Sequence, residues 1–229
     1  MSRLTRRNLL GGALAGALVG CSSERPRTGF LGTMERWNSG FQRWMQSDGR
    51  ELPRFPDEAL TPAGQFPVYH ASPFPPPPPA GWALAIGGRV ARPRTFSLED
   101  LRRLPRTDLR IEHHCVEGWS AVADWHGVRL TEIAAMVGAD PRAEFVEFRS
   151  FDAGYWSCWD RESAMHRHSI LAYGMNGKDL PITHGAPVRI YSALKLGYKN
   201  VKYLTQVNFL DANSGGYWEN TGYEFFASV

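Results

Sequence analysis

The stretch His113-His114-Cys115-Val116-Glu117-Gly118-Trp119-Ser120 decides the fold and carries the main candidate site residues. It follows residues 109–112, where apolar and charged side chains alternate as in a half-buried strand. A cysteine at the point where a strand gives way to a turn can face a pocket, and its thiolate is a soft ligand that selects particular metals. A second interpretation stays open, in which Cys115 is a buried structural residue, because free cysteine is among the most buried residue types.

Composition points to a globular protein without an electrostatic attraction for polyanions. The 229 residues are 43% hydrophobic, enough to bury a sizeable core in one large or two small domains. The formal net charge of +3 comes from Arg3, Arg6 and Arg7, because residues 1–20 contain no acid and the remainder is neutral. A neutral chain is not drawn to nucleic acid or anionic lipid, so we expect no nucleic-acid partner.

Residues 1–20 are predicted to be a targeting segment rather than part of the fold. Arg6-Arg7 precede an apolar run that is too short to span a bilayer and is bounded like a signal peptide. The arginine pair resembles a twin-arginine export signal, whose export machinery would be a partner. The run ends in Leu18-Val19-Gly20-Cys21, which resembles a lipobox. We therefore expect lipid on Cys21 to anchor the protein at the periplasmic or cell-surface side of a membrane; a soluble leader with a chance cysteine is the alternative.

Residues 21–80 are predicted to be a proline-rich arm that wraps the globular body. Prolines from Pro53 onward, above all the run at 75–79, enforce extended chain. One short amphipathic helix is expected around residues 30–46, because apolar side chains recur there at helical spacing. Its stripe is expected to pack on the parent domain, and a membrane-facing stripe is the alternative. The stripe consists of Phe30, Met34, Trp37, Phe41 and Trp44.

Residues 81–229 show the strand and short-helix patterns of a compact α+β domain. Strands are predicted at 82–90, 144–150, 186–191 and 201–210. One short helix begins at Ser97 with Asp100 in the capping arrangement, and another begins at Thr131 and ends before Gly138. Asn176-Gly177 marks a tight hairpin.

A second stretch of interest runs from His184-Gly185-Ala186-Pro187-Val188-Arg189 to residues 195–202. A glycine-containing turn, Arg189 and Lys202 form a plausible anion cradle, because backbone N–H groups and a bidentate guanidinium suit a phosphate. The alternative is that these basic residues are ordinary solvated charges near strand ends.

Together the two stretches resemble the sulfite oxidase family of molybdopterin-dependent oxidoreductases, and within it the periplasmic protein-methionine-sulfoxide reductases. The resemblance runs from about residue 66 to residue 211. It rests on Cys-Val-Glu-Gly-Trp-Ser, on Leu-Ala-Tyr-x-Met-Asn-Gly, and on Gly-Ala-Pro-Val-Arg followed by Leu-Gly-Tyr-Lys-x-Val-Lys. It implies an α+β, sulfite oxidase-type molybdopterin-binding domain with mixed β-sheets and short helices. The implied cofactor is molybdenum-molybdopterin (Mo-MPT), held through a pterin dithiolene and one protein thiolate.

The resemblance also implies roles for individual residues. Cys115 occupies the position of the molybdenum ligand, and Arg189 and Lys202 occupy positions that clamp the pterin and its phosphate. Ser150 stands where a threonine contacts the pterin, and His184 where the reductases have an asparagine. Further implied cofactor-contacting positions are Tyr69, His70, Asn200 and Val201. The candidates for lining the pocket or moving protons are His114, Tyr155 and Trp156.

Two departures from the family pattern point away from sulfite as substrate. Ser120 and Tyr69 occupy positions where sulfite oxidases carry arginines that collect the dianion, and an uncharged pocket holds a dianion poorly. We therefore predict an exported enzyme that transfers an oxygen atom to or from a sulfur or nitrogen oxide, small or protein-bound, mainly as a sulfoxide-type reductase. The sequence has no c-type haem motif, so a separate haem or membrane redox partner is expected to handle the electrons.

Two other functions stay open at this point. One is a sulfite-type dehydrogenase that donates electrons to a cytochrome. The other is a non-catalytic zinc-binding lipoprotein in which His113, His114, Cys115 and His126 are structural. In an oxidising compartment Cys115 and Cys158 can also pair as a disulfide, which competes with a metal role for Cys115.

Overall fold

The computed structural model describes residues 53, 55–62, 64–69, 71–152 and 154–229, together with helical positions at 33–34, 37–38, 40–41 and 44. The expected signal segment, Cys21 and His70 lie outside these residues. The chain divides into two units, Met1–Asn38 and Ser39–Val229, and the fold below is that of the second. None of the described helices has the length and apolarity needed to cross a membrane.

The helix expected around residues 30–46 is helical at the described positions, and two residues of its stripe lie in the second unit. Phe41 and Trp44 are 44% and 71% exposed. Their ring centroids lie 5.7 Å apart. The packing of this stripe on the parent domain stays a prediction.

Within the described residues, ten strands form two five-stranded sheets. The first sheet has the order β2-β1-β10-β5-β6, with β1 and β10 parallel and the other pairs antiparallel. The second has the order β3-β4-β7-β8, and β9 also pairs with β7. The strands are β1 (Leu84–Gly88), β2 (Arg94–Phe96), β3 (Thr107–His114), β4 (Ser120–Arg129), β5 (Phe145–Ser150), β6 (Trp156–Asp160), β7 (Ser169–Met175), β8 (Lys178–Asp179), β9 (Arg189–Ser192) and β10 (Leu204–Leu210).

Three short α-helices lie between residues 98 and 164 of the described chain, and their ends follow the local sequence signals. They are α1 (Leu98–Arg102), α2 (Leu130–Val137) and α3 (Arg161–Ala164). The predicted capping box is present, because Asp100 N donates to Ser97 Oγ at 3.1 Å and Ser97 N donates to Asp100 Oδ2 at 3.0 Å. Gly138 ends α2 in the left-handed region with φ 64°, as predicted. The predicted α+β class with short helices is confirmed.

Strand β7 of the second sheet is buried on both faces, which explains why it was missed in the sequence. Every residue of β7 is buried, so the strand shows no apolar–polar alternation. One hydrophobic cluster joins β7 to the first sheet and α2, and the other packs Phe66 against β3, β4 and β7. Trp119, at the end of the turn between β3 and β4, packs against the second of these clusters.

Gly127 marks the closest approach of β4 to β7, where the pairing register shifts between His126 and Gly127. A Cβ atom there would lie 2.1 Å from the carbonyl oxygen of Leu171. We expect Gly127→Ala to lower the free energy of unfolding by about 1–3 kcal/mol, because a backbone atom must move. Urea denaturation measures the change. In the control Gly87→Ala, the new Cβ meets only the Asn208 side-chain oxygen at 3.1 Å; equal losses in both variants would contradict the steric explanation.

Candidate active site

A cavity of about 430 Å³ lies where the two sequence stretches meet. This volume is in the range of small-molecule and cofactor sites. Five parts of the chain contribute to the walls of this cavity. They are the segment before β1, the β3–β4 turn, the β5–β6 turn, the region from residue 184 to residue 203 and the C-terminal segment. Both stretches singled out in the sequence therefore border one space.

The β3–β4 turn brings Cys115 to the cavity. Cys115 N donates to Trp119 O at 2.9 Å and Gly118 N donates to Cys115 O at 3.0 Å, with Gly118 at φ 89°. The Cys115 Sγ atom lies 3.9 Å from Glu117 Oε2. Glu117 in turn accepts hydrogen bonds from Tyr69 Oη at 2.9 Å and Trp119 Nε1 at 3.1 Å. Burial, and then the Glu117 carboxylate, raise the pKa of the Cys115 thiol, so a thiolate here requires a cation such as a bound metal.

The adjacent histidines point to opposite sides of β3, and His113 rather than His114 lines the cavity. His113 is buried with Nδ1 2.8 Å from Tyr191 Oη, and burial and Arg189 lower its pKa to about 3. His114 lies outside, with Nε2 3.9 Å from Glu112 Oε2. The structure therefore places His114 outside the cavity, because successive side chains of a strand alternate between its faces. A part for His114 in moving protons stays a prediction.

Ser120 is paired with His114 across the two strands and does not line the cavity either. Its Oγ atom donates to Glu112 Oε1 at 2.7 Å. The sequence argument that Ser120 leaves the pocket uncharged is therefore not supported at this position, because its side chain is directed to Glu112. Tyr69 does line the cavity, and it brings no charge.

Arg189 faces the cavity without a carboxylate partner in the described part of the chain, and Lys202 faces it near the Asp152 carboxylate, the one acid that raises its pKa. Arg189 is 2% exposed and donates to His184 O at 3.0 Å and Asn200 O at 2.9 Å, while its buried Nε has no partner there. Lys202 Nζ donates to Thr183 O at 3.0 Å and to Tyr69 O. Burial lowers the pKa of Arg189 to about 10 and, together with Arg189, that of Lys202 to about 7. Two desolvated cations beside one cavity form an anion site, and their geometry suits a phosphate.

Three further predicted residues also line the cavity. Ser150 Oγ accepts from Asp152 N at 2.8 Å. His184 has its pKa lowered to about 3 by burial and by Arg189 and Lys202. Asn200 shapes the preceding loop, because its Oδ1 accepts from Ser192 N at 2.8 Å and its Nδ2 donates to Lys195 O at 3.0 Å.

Not all predicted residues reach the cavity. Val201 is fully buried in the core, with its N–H and C=O bonded to Lys199 and Ile190, and it does not line the cavity. Trp156 does not line it either. Tyr155 does, but its hydroxyl donates to Tyr198 O at 2.5 Å and burial raises its pKa, so it keeps its proton. We therefore assign Tyr155 to the wall rather than to proton transfer.

Sequence reasoning missed the aromatic residues of the C-terminal segment, Tyr217, Trp218 and Tyr223, which also line the cavity. The motif resemblance ended at residue 211, before them. The remaining signal was the density of aromatic side chains between residues 217 and 226, which does not by itself indicate a site.

The described residues offer no ligand cluster for zinc. No group of three or more His, Cys, Asp or Glu side chains among them is placed to hold a metal ion, and Cys115 and Cys158 are both free. A metal at Cys115 would therefore take its remaining ligands from a bound cofactor, as a pterin dithiolene provides. The chemistry of the site fits such a group, with a soft thiol for the metal and two cations for a phosphate.

Comparisons with known proteins agree with this arrangement. The family model described as oxidoreductase molybdopterin binding domain matches residues 71–218. A relative from Azospira oryzae, provisionally named protein-methionine-sulfoxide reductase subunit YedZ1, is 33% identical over 97% of this chain and 85% of its own length. The protein-methionine-sulfoxide reductase catalytic subunit MsrP of Xanthomonas axonopodis is 31% identical over 65% of this chain, which spans 52% of that relative.

The fold is also similar to that of a solved structure. The sulfane dehydrogenase SoxCD from Paracoccus pantotrophus superposes with a TM-score of 0.55 and 25% sequence identity. The match covers 58% of this chain and 39% of the SoxCD chain.

Lys202 is expected to make the stability of the cofactor-free protein depend on pH. Its pKa is about 7 in the folded chain and near 10.5 when unfolded, so the unfolded chain binds more protons between these values. Stability should therefore rise with pH above about 7, by about 1–2 kcal/mol after allowance for solvent screening, and stay flat below. Urea unfolding of wild type and Lys202→Met at pH 6 and pH 9 isolates this effect, because methionine cannot titrate. The exposed Lys178→Met is the control; an identical pH profile in wild type and Lys202→Met would contradict the assignment.

Proposed function

The chain belongs to the oxidoreductase molybdopterin-binding domain family, and from this premise we propose that it is a reductase that removes an oxygen atom from a neutral sulfoxide. The observation that carries the proposal is the distribution of charge in the cavity. Its two buried cations, Arg189 and Lys202, match the anionic part of a cofactor, while the charged group that contacts Cys115 is the carboxylate of Glu117.

The cofactor of this family, when bound, supplies two-electron and oxygen-atom-transfer chemistry. In this chain Cys115 would hold the metal through its thiolate, and Arg189 and Lys202 would hold the phosphate. The backbone at Gly185, with φ 108°, lies close to the Lys202 side chain. A Cβ atom at Gly185 would lie 2.8 Å from Lys202 Cβ, so the close approach requires glycine. The protein's contribution is thus to fix the cofactor between a soft ligand and two cations.

The residues around Cys115 orient the substrate and handle its protons. Tyr69, Val116 and Trp119 border the cavity with largely apolar surface, which suits the hydrocarbon part of a sulfoxide. Glu117 is the acid–base group nearest to the thiol and accepts two hydrogen bonds there. We assign it the transfer of the protons that are needed when the substrate's oxygen leaves as water. Burial and Arg189 hold the pKa of His113 near 3, so we assign this role to Glu117 rather than to His113.

The same carboxylate disfavours sulfite. A dianion approaching Cys115 would meet Glu117, and Arg189, the one arginine among the cavity residues, is placed to hold the cofactor. Because Glu117 is exposed, solvent screens this repulsion, and it costs the dianion about 1 kcal/mol. The names of the reductase relatives support a sulfoxide, whereas the likeness to a sulfane dehydrogenase favours a second candidate, an oxidising enzyme that gives electrons to a cytochrome. A separate haem or membrane partner would exchange electrons in either case.

We expect the purified, molybdenum-loaded protein to reduce dimethyl sulfoxide and methionine sulfoxide with reduced methyl viologen. Its oxidation of sulfite with ferricyanide should be slower by about two orders of magnitude or more. Glu117→Gln should raise sulfite oxidation about tenfold or more, because the repelling charge is removed. Glu112→Gln, outside the cavity, is the matched control, and Cys115→Ser should lose both activities while it remains folded.

The direction of electron flow decides between the two candidates. Wild-type protein that oxidises sulfite rapidly, with no sulfoxide reduction, would overturn the reductase proposal and leave the family membership standing. Elemental analysis for molybdenum accompanies each assay, so that an inactive preparation is not mistaken for the wrong substrate.

We also propose that the protein is exported by the twin-arginine route and anchored through lipid on Cys21. The support is the Arg6-Arg7 pair and the lipobox-like residues 18–21. Mass spectrometry of the mature chain should find acyl groups on an amino-terminal Cys21, and Cys21→Ser should move the protein from the membrane to the soluble fraction with its viologen-dependent activity intact. A mature chain with an unmodified Cys21 would contradict this localisation.

A further inference from the structure

We propose that residues 216–226 form the substrate-recognition wall of the cavity, with Tyr217, Trp218 and Tyr223 as specificity-determining residues. We further propose that Glu219 is the residue that positions this wall. The inference rests on the proposed function, because the wall is assigned to the apolar part of a sulfoxide substrate. The family match ends at residue 218, so family membership does not assign a role to most of this segment.

The three aromatic residues form a continuous surface at the cavity. The Tyr217 ring centroid lies 5.4 Å from Trp218, and Trp218 lies 5.0 Å from Tyr223. The surface continues to the wall residues Tyr155, at 5.2 Å from Tyr217, and Tyr198, at 5.3 Å from Tyr223. The rings of Tyr217, Trp218 and Tyr223 therefore belong to the cavity wall and not to a separate hydrophobic core.

These rings remain partly open to solvent although they sit on a folded segment. Tyr217, Trp218 and Tyr223 are each 37% exposed and each line the cavity. Exposed aromatic surface that borders a cavity is typical of a binding site. Aromatic rings attract sulfur and hydrocarbon but offer no charge, so the wall suits the thioether-like chain of a sulfoxide and not a small dianion.

The segment is held by a buried ion pair. The fully buried Lys199 donates from Nζ to a carboxylate oxygen of Glu219, and that oxygen also accepts from Ser157 Oγ at 2.5 Å. Lys199 Nζ also donates to Cys158 O at 2.8 Å. Gly216 makes room for the carboxylate, because a Cβ at that position would lie 2.0 Å from Glu219 Oε2. Glu219 directly follows Trp218, so this ion pair fixes the ring next to it.

A second lysine holds the far end of the segment. Lys195 Nζ donates to Phe226 O at 2.6 Å and lies 3.3 Å from Asp160 Oδ1. Lys195 and Lys199 belong to the same loop as Asn200 and Lys202, which border the cofactor part of the cavity. The substrate wall is therefore positioned relative to the cofactor by one short piece of chain.

Trp218→Ala tests the wall directly in the loaded protein with reduced methyl viologen. The KM for a short peptide that contains methionine sulfoxide should rise about tenfold, while kcat per molybdenum stays within about twofold. The KM for dimethyl sulfoxide should change less, because this substrate has only two methyl groups to place on the wall. Calorimetric titration of the peptide into the oxidised protein should show the same loss of affinity without turnover. Phe74→Ala, which removes an 81% exposed aromatic outside the cavity, is the control.

Glu219→Gln tests the positioning role. It should raise the KM for the peptide as Trp218→Ala does, with kcat per molybdenum retained, whereas Glu224→Gln in the same segment should not. In the double variant Trp218→Ala/Glu219→Gln the KM should rise no further than in the more affected single variant, because both act through one surface. Multiplied effects would overturn the positioning role of Glu219, since they would show that it acts elsewhere.

The outcomes separate this inference from the function on which it rests. Wild-type turnover of sulfoxides with an unchanged peptide KM and affinity in Trp218→Ala would overturn the wall and leave the reductase function intact. Wild-type protein that contains molybdenum but turns over no sulfoxide would overturn the proposed function and the wall together.

Discussion

The burial of Arg189 without a carboxylate is the constraint on which the rest of the site depends. Its guanidinium donates to the carbonyl oxygens of His184 and Asn200, and its Nε has no partner in the described part of the chain. A buried charge in this state is costly unless an anion compensates it. The fold therefore holds Arg189 and the nearby Lys202 ready for a charged ligand, and the stability of the site is linked to its cofactor.

The loop between β9 and β10 connects this cation pair to the rest of the cavity. Asn200 ties the loop to β9 through Ser192 N, and its main-chain oxygen accepts from Arg189. Lys195 and Lys199 turn away from the cavity and are buried against the C-terminal segment. A buried ion pair contributes little net stability, but breaking one is costly, so such pairs favour one defined arrangement. Cofactor contacts and the aromatic wall are thus set by the same loop.

The segment before β1 belongs to the site rather than to a detached arm. Phe66 packs edge-on against Trp119, Trp125 and His184. Further along, the Asp152 carboxylate accepts from Ala71 N at 2.8 Å and Ser72 N at 3.0 Å. This agrees with the expectation that the proline-rich chain wraps the body, and it places Tyr69 where its hydroxyl can bond Glu117.

The sequence by itself determined what depends on local chain chemistry. Short-range rules predict the capping box at Ser97, the left-handed residue Gly138 that ends α2, the Asn176-Gly177 hairpin and the α+β class. Cys115, Arg189 and Lys202 were found because each lies in a short motif. Only the tertiary structure decided which side chains share a space. It selected His113 over His114, directed Ser120 to Glu112, buried Val201, placed Glu117 beside the thiol and brought Tyr217, Trp218 and Tyr223 to the cavity. The physical reason is that the face of a strand and contacts across about 100 residues of chain are fixed by packing and buried charge, which no local pattern encodes.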